Sequence, residues 1–210
     1  MLVWINGPFG GGKTQTAYEL RRRLPGSVVC DPEHAGFGLH RMTPRPLRGD
    51  FQDLPAWRQG VFEVLDLVLR RHDGPVIAPM TVVEPAYFGE TVGRLREHGH
   101  DVRHFALLAT RETVLRRLAE RGVGRAVSFL AGNRAALRRE SFAVAKLDTC
   151  LDRLTDDAFA EHIWTDDLSV ARVADRVAGS AGLVLRPNTD TALGGVARRA
   201  WTSAKHIRVM

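Results

Sequence analysis

Gly7-Pro8-Phe9-Gly10-Gly11-Gly12-Lys13-Thr14 sets a lysine and a hydroxyl directly behind a run of small residues, in the spacing G-x-x-x-x-G-K-[ST]. Glycines let successive backbone N–H groups wrap an anion without Cβ clashes. A helix beginning near Lys13 turns its positive N-terminal end on the same anion. In that arrangement Lys13 reaches the β- and γ-phosphates of a nucleoside triphosphate, and Thr14 ligates Mg2+. Gly7, Phe9, Gly10, Gly11, Gly12, Lys13, Thr14 and Gln15 are therefore the expected ATP contacts. A dinucleotide fingerprint is excluded, because Gln15 stands where its third glycine is required.

Magnesium on a triphosphate needs a carboxylate nearby, directly or through water. The apolar run Pro75 to Met80 ends without one, which argues against a motor-type or GTPase-type ATPase. The run Ser27 to Cys30 ends in Asp31-Pro32-Glu33. In extended geometry those two carboxylates point the same way, toward one ligand. Asp31 is expected to orient the metal or act as general base, with Glu33 gripping an acceptor hydroxyl. The plainer alternative is that Asp31-Pro32 ends the strand and Glu33 is solvated.

Cationic groups are the third requirement, since phosphoryl transfer is catalysed largely by positioning and charge. Arg117 and Arg121 lie four apart and share one face of the expected helix Arg111 to Arg121. Adenylate-kinase-type enzymes carry R-L-x-x-R here, with one arginine on the base and one on phosphate. Arg125, in Gly122-Val123-Gly124-Arg125, is placed to close over the γ-phosphate. On the acceptor side, Gln52, Asp53, Trp57, Arg58 and Thr81 are the expected substrate contacts. Trp57 is also readable as core, and the arginines as a solvated face.

These groups need a scaffold, and short apolar runs alternating with amphipathic stretches supply one. Strands are expected at Leu2 to Asn6, Ser27 to Cys30, Pro75 to Met80, Val102 to Leu108 and Glu161 to Trp164. Helices are expected at Thr14 to Leu24, Pro55 to Arg71, Glu90 to Glu97, Arg111 to Arg121, Ala143 to Leu154 and Ser169 to Ala181. After Asp31-Pro32-Glu33 the reading is a polar, Pro-rich stretch, Thr43-Pro44-Arg45-Pro46, with no element assigned before Pro55. The fold class is α/β, a P-loop NTPase with a five-stranded, mostly parallel sheet flanked by helices, similar to nucleoside and shikimate kinases. Ligands of such sheets bind at the carboxyl ends of the strands. Residues 1–186 form the expected kinase-like domain, with a mobile lid about 122–142 and a basic tail over 187–210.

In the tail, Leu193, Val196, Ala197, Ala200, Trp201, Ala204 and Ile207 recur at helical spacing among Arg198, Arg199, Lys205 and Arg208. Such a helix suits peripheral contact with an anionic membrane, or docking on its own core or a second subunit as a homodimer. The net charge of +6 comes almost wholly from arginine, with lysine only at 13, 146 and 205. Lys13 is thereby conspicuous. The positive charge is dispersed and no recognition motif accompanies it, so nucleic acid is not an expected partner. Two distant cysteines, Cys30 and Cys150, and the absence of a signal-like or ~20-residue apolar run suit a cytoplasmic protein.

Several segments together resemble the TmrB-like tunicamycin-resistance proteins, a P-loop kinase-like family. They are Trp4-Ile5-Asn6-Gly7 through Lys13-Thr14-Gln15-Thr16-Ala17, Asp31-Pro32-Glu33, Asp50-Phe51-Gln52-Asp53 with Trp57-Arg58, Pro79-Met80-Thr81, Tyr87-Phe88, Gly93-Arg94-Leu95-Arg96, Thr165-Asp166-Asp167-Leu168-Ser169 and His206-Ile207-Arg208. The resemblance implies ATP binding and protection against tunicamycin-like, uridine-containing nucleoside antibiotics, which mimic a UDP-sugar. Phosphorylation of a drug hydroxyl is the leading expectation. Non-catalytic sequestration and a metabolic nucleoside or nucleotide kinase are the alternatives.

Overall fold

The computed structural model describes residues 1–129, 146–159 and 161–189, the side chains of 121–129 and 158 excepted. Five strands form one sheet in the order β2-β3-β1-β4-β5, with every neighbouring pair parallel. They are β1 (Leu2–Asn6), β2 (Val28–Val29), β3 (Val76–Pro79), β4 (Val102–Leu108) and β5 (His162–Trp164). The central strand β1 aligns Leu2 with both Val76 and Val102.

Side chains alternate across a strand, and here the alternation divides one apolar run between two cores. Leu2, Trp4, Val76, Ala78, Ala106 and Leu108 join Trp57, Phe62 and Phe88 on one face. Val3, Ile5, Ile77, Phe105 and Leu107 join Ala17, Leu20, Val173 and Val177 on the other. Covered on both faces, the strands are continuous apolar runs rather than alternating ones.

The helices follow as α1 (Lys13–Arg23), α2 (Glu33–Met42), α3 (Pro55–Arg71), α4 (Pro85–Phe88), α5 (Arg94–Glu97), α6 (Arg111–Phe129), α7 (Leu147–Leu154) and α8 (Val170–Ser180). A π-helical stretch, Gly89–Gly93, joins α4 to α5. Two differences from the sequence expectations matter. Glu33–Met42 is a helix rather than an irregular connection; its apolar residues sit near polar ones and Pro32 opens it at φ −65, the value proline imposes. The helical backbone of α6 also runs past Gly122 and Gly124 to Phe129, where a mobile segment was expected to begin. A glycine in a helix interior costs only about 1 kcal/mol, and an established helix propagates through that. The rest of the expected lid and the tail beyond residue 189 lie outside the described residues. Among the described residues no helix is long and apolar enough to cross a membrane.

Candidate active site at the carboxyl ends of the strands

The phosphate loop leaves β1 at the buried Asn6, which stands in the resembling segments but was given no role in the sequence reading. Asn6 Oδ1 accepts hydrogen bonds from the N–H groups of Gly7 (2.9 Å) and Val82 (3.0 Å), while its Nδ2 donates to the Val82 carbonyl at 2.7 Å. Thr81 donates its hydroxyl to the Gly7 carbonyl at 2.8 Å. One amide and one hydroxyl thus bolt the loop to the end of β3. Thr81, expected as a substrate contact, is 5% exposed and spends its donor on the loop.

Two glycines show why the motif needs them. Gly10 has φ +82, and a Cβ there would lie 3.1 Å from Leu118 and 3.2 Å from Val114 of α6. Gly12 has φ +92, yet a Cβ there would meet nothing within 4 Å, so its open side is a cradle rather than a packed contact. Gly12 opens α1 with no side-chain cap and no acidic residue in the first turn. Those uncapped N–H groups and the helix dipole fit a phosphate. Lys13 is buried and donates to the Gly7 and Pro8 carbonyls, both at 3.0 Å. Its ammonium also lies 5.6 Å from the centre of the Phe9 ring. Thr14 and Gln15 follow on the first turn of α1 and are half-buried.

Asp31 and Glu33 do not share an extended strand. Pro32 lies in helical backbone, and the Asp31 carboxylate accepts the Glu33 N–H at 3.0 Å, closing an Asx turn at the start of α2. The expectation that the two carboxylates point the same way through strand alternation is corrected accordingly: a helix begins where a strand was assumed to continue. Burial pushes the Asp31 carboxyl above its ordinary value, against the lowering by the Glu33 N–H and by the charges of His34 and Lys13. Asp31 is therefore within electrostatic reach of Lys13, across strands that the sequence separates.

The residues expected on the acceptor side come together from distant segments. Trp57 is fully buried, and its indole N–H donates to the Pro32 carbonyl at 3.0 Å, tying the start of α3 to the Asp31 turn. Its ring packs on Phe51 with centroids 5.6 Å apart. Arg58 donates to Glu90 at 2.6 Å and to the Gln52 carbonyl at 2.5 Å, and lies 4.4 Å over the Tyr87 ring. Tyr87 in turn donates to Asp53 at 2.9 Å. The structure thus brings Gln52, Asp53 and Arg58 into one network, and adds Tyr87 and Glu90 to it. The signal for Tyr87 was its place in the resembling segments; nothing marked Glu90.

The other flank of the phosphate loop is formed by β4 and β5. Arg117 donates to the Thr165 hydroxyl at 3.0 Å and to its carbonyl at 2.6 Å. Burial lowers the Arg117 pKa from its ordinary value, opposed by the nearby Asp166 charge. Asp166 accepts the N–H and hydroxyl of Thr110, at 3.0 and 2.7 Å. Arg117 is therefore anchored beside the ends of β4 and β5, with β1 between it and Asp31 in the sheet order. The side chains of Arg121 and Arg125 lie outside the described residues.

Comparison with known proteins agrees with this geometry. A family model described as an AAA domain matches residues 2–143. No curated protein matches. The tunicamycin resistance protein of Deinococcus radiodurans is 33% identical, covering 89% of this chain and 99% of that one, with a TM-score of 0.70. Shikimate kinase from Bacteroides thetaiotaomicron matches at 14% identity over 87% of this chain and 99% of that one, TM-score 0.56. The Mycobacterium tuberculosis APS kinase CysC, in complex with AMPPNP and APS, matches at 15% identity over 86% and 96%, TM-score 0.51. The last two show the fold, a P-loop kinase fold. With the phosphate loop, the all-parallel sheet and the Deinococcus protein agreeing over nearly the whole length, this chain belongs to the AAA-domain P-loop family and, within it, to the tunicamycin-resistance proteins.

Proposed function

We propose that this protein transfers the γ-phosphoryl group of ATP to a hydroxyl of a tunicamycin-like uridine nucleoside antibiotic. The observation that carries the reading is the half-buried Asp31 carboxylate at the end of β2, in the field of Lys13 of the phosphate loop that leaves β1. The loop N–H groups hold the phosphates, and Lys13 exchanges its two carbonyl partners for phosphate oxygens. Arg117 and Arg121 flank the nucleotide. Glu33, Gln52, Asp53 and Arg58 border the acceptor, with Trp57 and Thr81 supporting the wall and the loop. Among the described residues no group of three His, Cys, Asp or Glu side chains could hold a metal alone. That suits Mg2+, which uses one or two protein ligands plus phosphates and water. Thr14 and Asp31 would hold it, and it supplies charge neutralisation on the phosphates. Asp31 orients the attacking hydroxyl and takes its proton as the acceptor oxygen bonds to phosphorus and the bond to ADP breaks.

A second reading has its own observation. One Asp31 oxygen is already engaged by the Glu33 N–H in the turn that leads into α2, which suits a carboxylate that shapes a pocket rather than one that moves a proton. In that reading, ATP closes the protein around the antibiotic without altering it. Mass spectrometry of tunicamycin after incubation with protein and Mg2+-ATP separates the two. A gain of one phosphoryl group, lost or slowed about a thousandfold in Lys13→Ala, is the expected result. An unchanged drug that binds only with ATP present would replace the kinase by a sequestering protein.

A further inference from the structure

Arg58, in the first turn of α3, is 8% exposed. Lys146, which lies 3.4 Å from Asp50, and Arg153, which pairs with Glu84, are about half exposed. Arg45 and Arg48 are exposed as well. Ion pairs at the surface contribute little, whereas a buried guanidinium needs good geometry to offset its lost hydration. Arg58 has that geometry on three sides. Its Nε donates to the Glu90 carboxylate at 2.6 Å and its Nη1 to the Gln52 carbonyl at 2.5 Å, while its Cζ lies 4.4 Å from the centre of the Tyr87 ring. Tyr87 is held in turn by its bond to Asp53 at 2.9 Å. Among the described residues the remaining nitrogen, Nη2, has no hydrogen-bond partner, and it is not sealed from solvent.

The two groups that grip the guanidinium come from one helical segment. Tyr87 ends in α4 and Glu90 lies in the π-helical stretch Gly89–Gly93, three residues on. The Thr91 hydroxyl donates to the Tyr87 carbonyl at 2.8 Å within this wide turn. Wide turns of this kind are frequent at functional sites. Stability alone gives little reason for the arrangement, because the Glu90 side chain is half exposed and apolar residues of similar volume serve such a seam as well. What it supplies is orientation: two nitrogens and one face are fixed, and one nitrogen is left. Trp57, the preceding residue, ties the same turn of α3 to the Pro32 carbonyl beside Asp31. Arg58 therefore stands between the segment after β2 and the segment after β3.

We propose that Glu90 and Tyr87 are positioning residues for Arg58, fixing its guanidinium so that Nη2 donates to an oxygen of the acceptor. This rests on the reading that the acceptor binds at the ends of β2 and β3. A donor already locked when the ligand arrives has little side-chain freedom left to lose, so its hydrogen bond is stronger and more directional than one from a loose arginine.

Calorimetry on the full-length protein, loaded with a non-hydrolysable ATP analogue and Mg2+, reads tunicamycin affinity without turnover. Glu90→Leu removes the carboxylate and Tyr87→Leu removes the ring. Each should weaken tunicamycin about tenfold, with affinity for the ATP analogue held within about twofold. Glu90→Gln and Tyr87→Phe, which keep an acceptor oxygen and the ring, should restore most of the loss. In an Arg58→Met background both leucine variants should cost nothing further, because a positioning residue acts only through the side chain that it positions. Tyr87→Leu in that background decides the matter should Glu90→Leu fail to fold. Undiminished losses in the Arg58→Met background, or equal losses for the ATP analogue, overturn the proposal. A drug left unphosphorylated in the Mg2+-ATP assay, with the coupling to Arg58 present, removes the kinase reading and supports the positioning. Absence of tunicamycin binding to the unaltered protein overturns the acceptor reading and this proposal together.

Discussion

The two flanks of the phosphate loop are built by different means. On the nucleotide side the inner geometry of the loop is local: Gly11 bonds to Pro8, and Lys13 returns to Gly7 and Pro8, all within one eight-residue motif. On the acceptor side almost nothing is local. Trp57 reaches a partner 25 residues away, Arg58 one at 32, Tyr87 one at 34 and Arg153 one at 69. Each such contact has to offset the entropy of closing a long loop, so the wall holds only because its members support one another. The loop thus takes its inner geometry from its own motif and is tied to the end of β3 at Asn6 and Thr81, whereas the proposed acceptor wall is long-range throughout.

The sharpest way to break that comparison is Trp57→Ala. Removing a fully buried indole and its hydrogen bond to Pro32 should cost about 3–5 kcal/mol in urea unfolding. At temperatures where the variant stays folded, acceptor affinity should collapse while ATP affinity stays within about twofold. Equal loss of both would mean the flanks are one cooperative unit.

Asn6→Ala attacks the other flank. It leaves the Gly7 and Val82 N–H groups and the Val82 carbonyl without their partner, an expected loss of about 2 kcal/mol. ATP affinity should fall with it. Asn6→Asp keeps both accepted bonds and should recover part of the loss; identical behaviour of the two variants would deny the bolt its role.

Arg58→Lys keeps the charge and loses the fork and the stack on Tyr87. Steady-state kinetics should show the acceptor KM raised about tenfold, with the ATP KM unchanged. A change in the ATP KM instead would move Arg58 to the wrong flank.

The smallest effect is on pH dependence. Burial holds the folded Asp31 pKa above its unfolded value. The stability this group contributes is therefore present below the unfolded pKa and lost as pH rises through the folded one. Catalysis runs the other way, because a base has to be ionised. The acidic limb of the pH–rate profile should lie above the ordinary aspartate range and vanish in Asp31→Asn, whose stability should vary less over that window. An unmoved limb would take the base role from Asp31.

How much was legible follows the same division. The five strands and most helices stand in the sequence as apolar runs of the right length, and the loop as a contiguous motif, so the sheet class needed no tertiary information. The helix Glu33–Met42 was missed because its hydrophobic residues are few and Pro-rich sequence follows it closely. Trp57 was readable both as a substrate contact and as core, and the fold buries it fully with its indole N–H on the Pro32 carbonyl. Lys146 and Arg153 carried no signal at all, since an ion pair to a residue 96 or 69 positions away leaves no spacing to read.

The sequence by itself determined the elements whose cause lies within a few neighbours. Glycine freedom, the lysine at the head of a helix and the apolar run of a doubly covered strand act over one turn or one strand length. Only the tertiary structure decided which carboxylate meets which cation on the acceptor wall. Those pairings depend on where long loops close, and loop closure is settled by the packing of the whole sheet rather than by any local residue pattern.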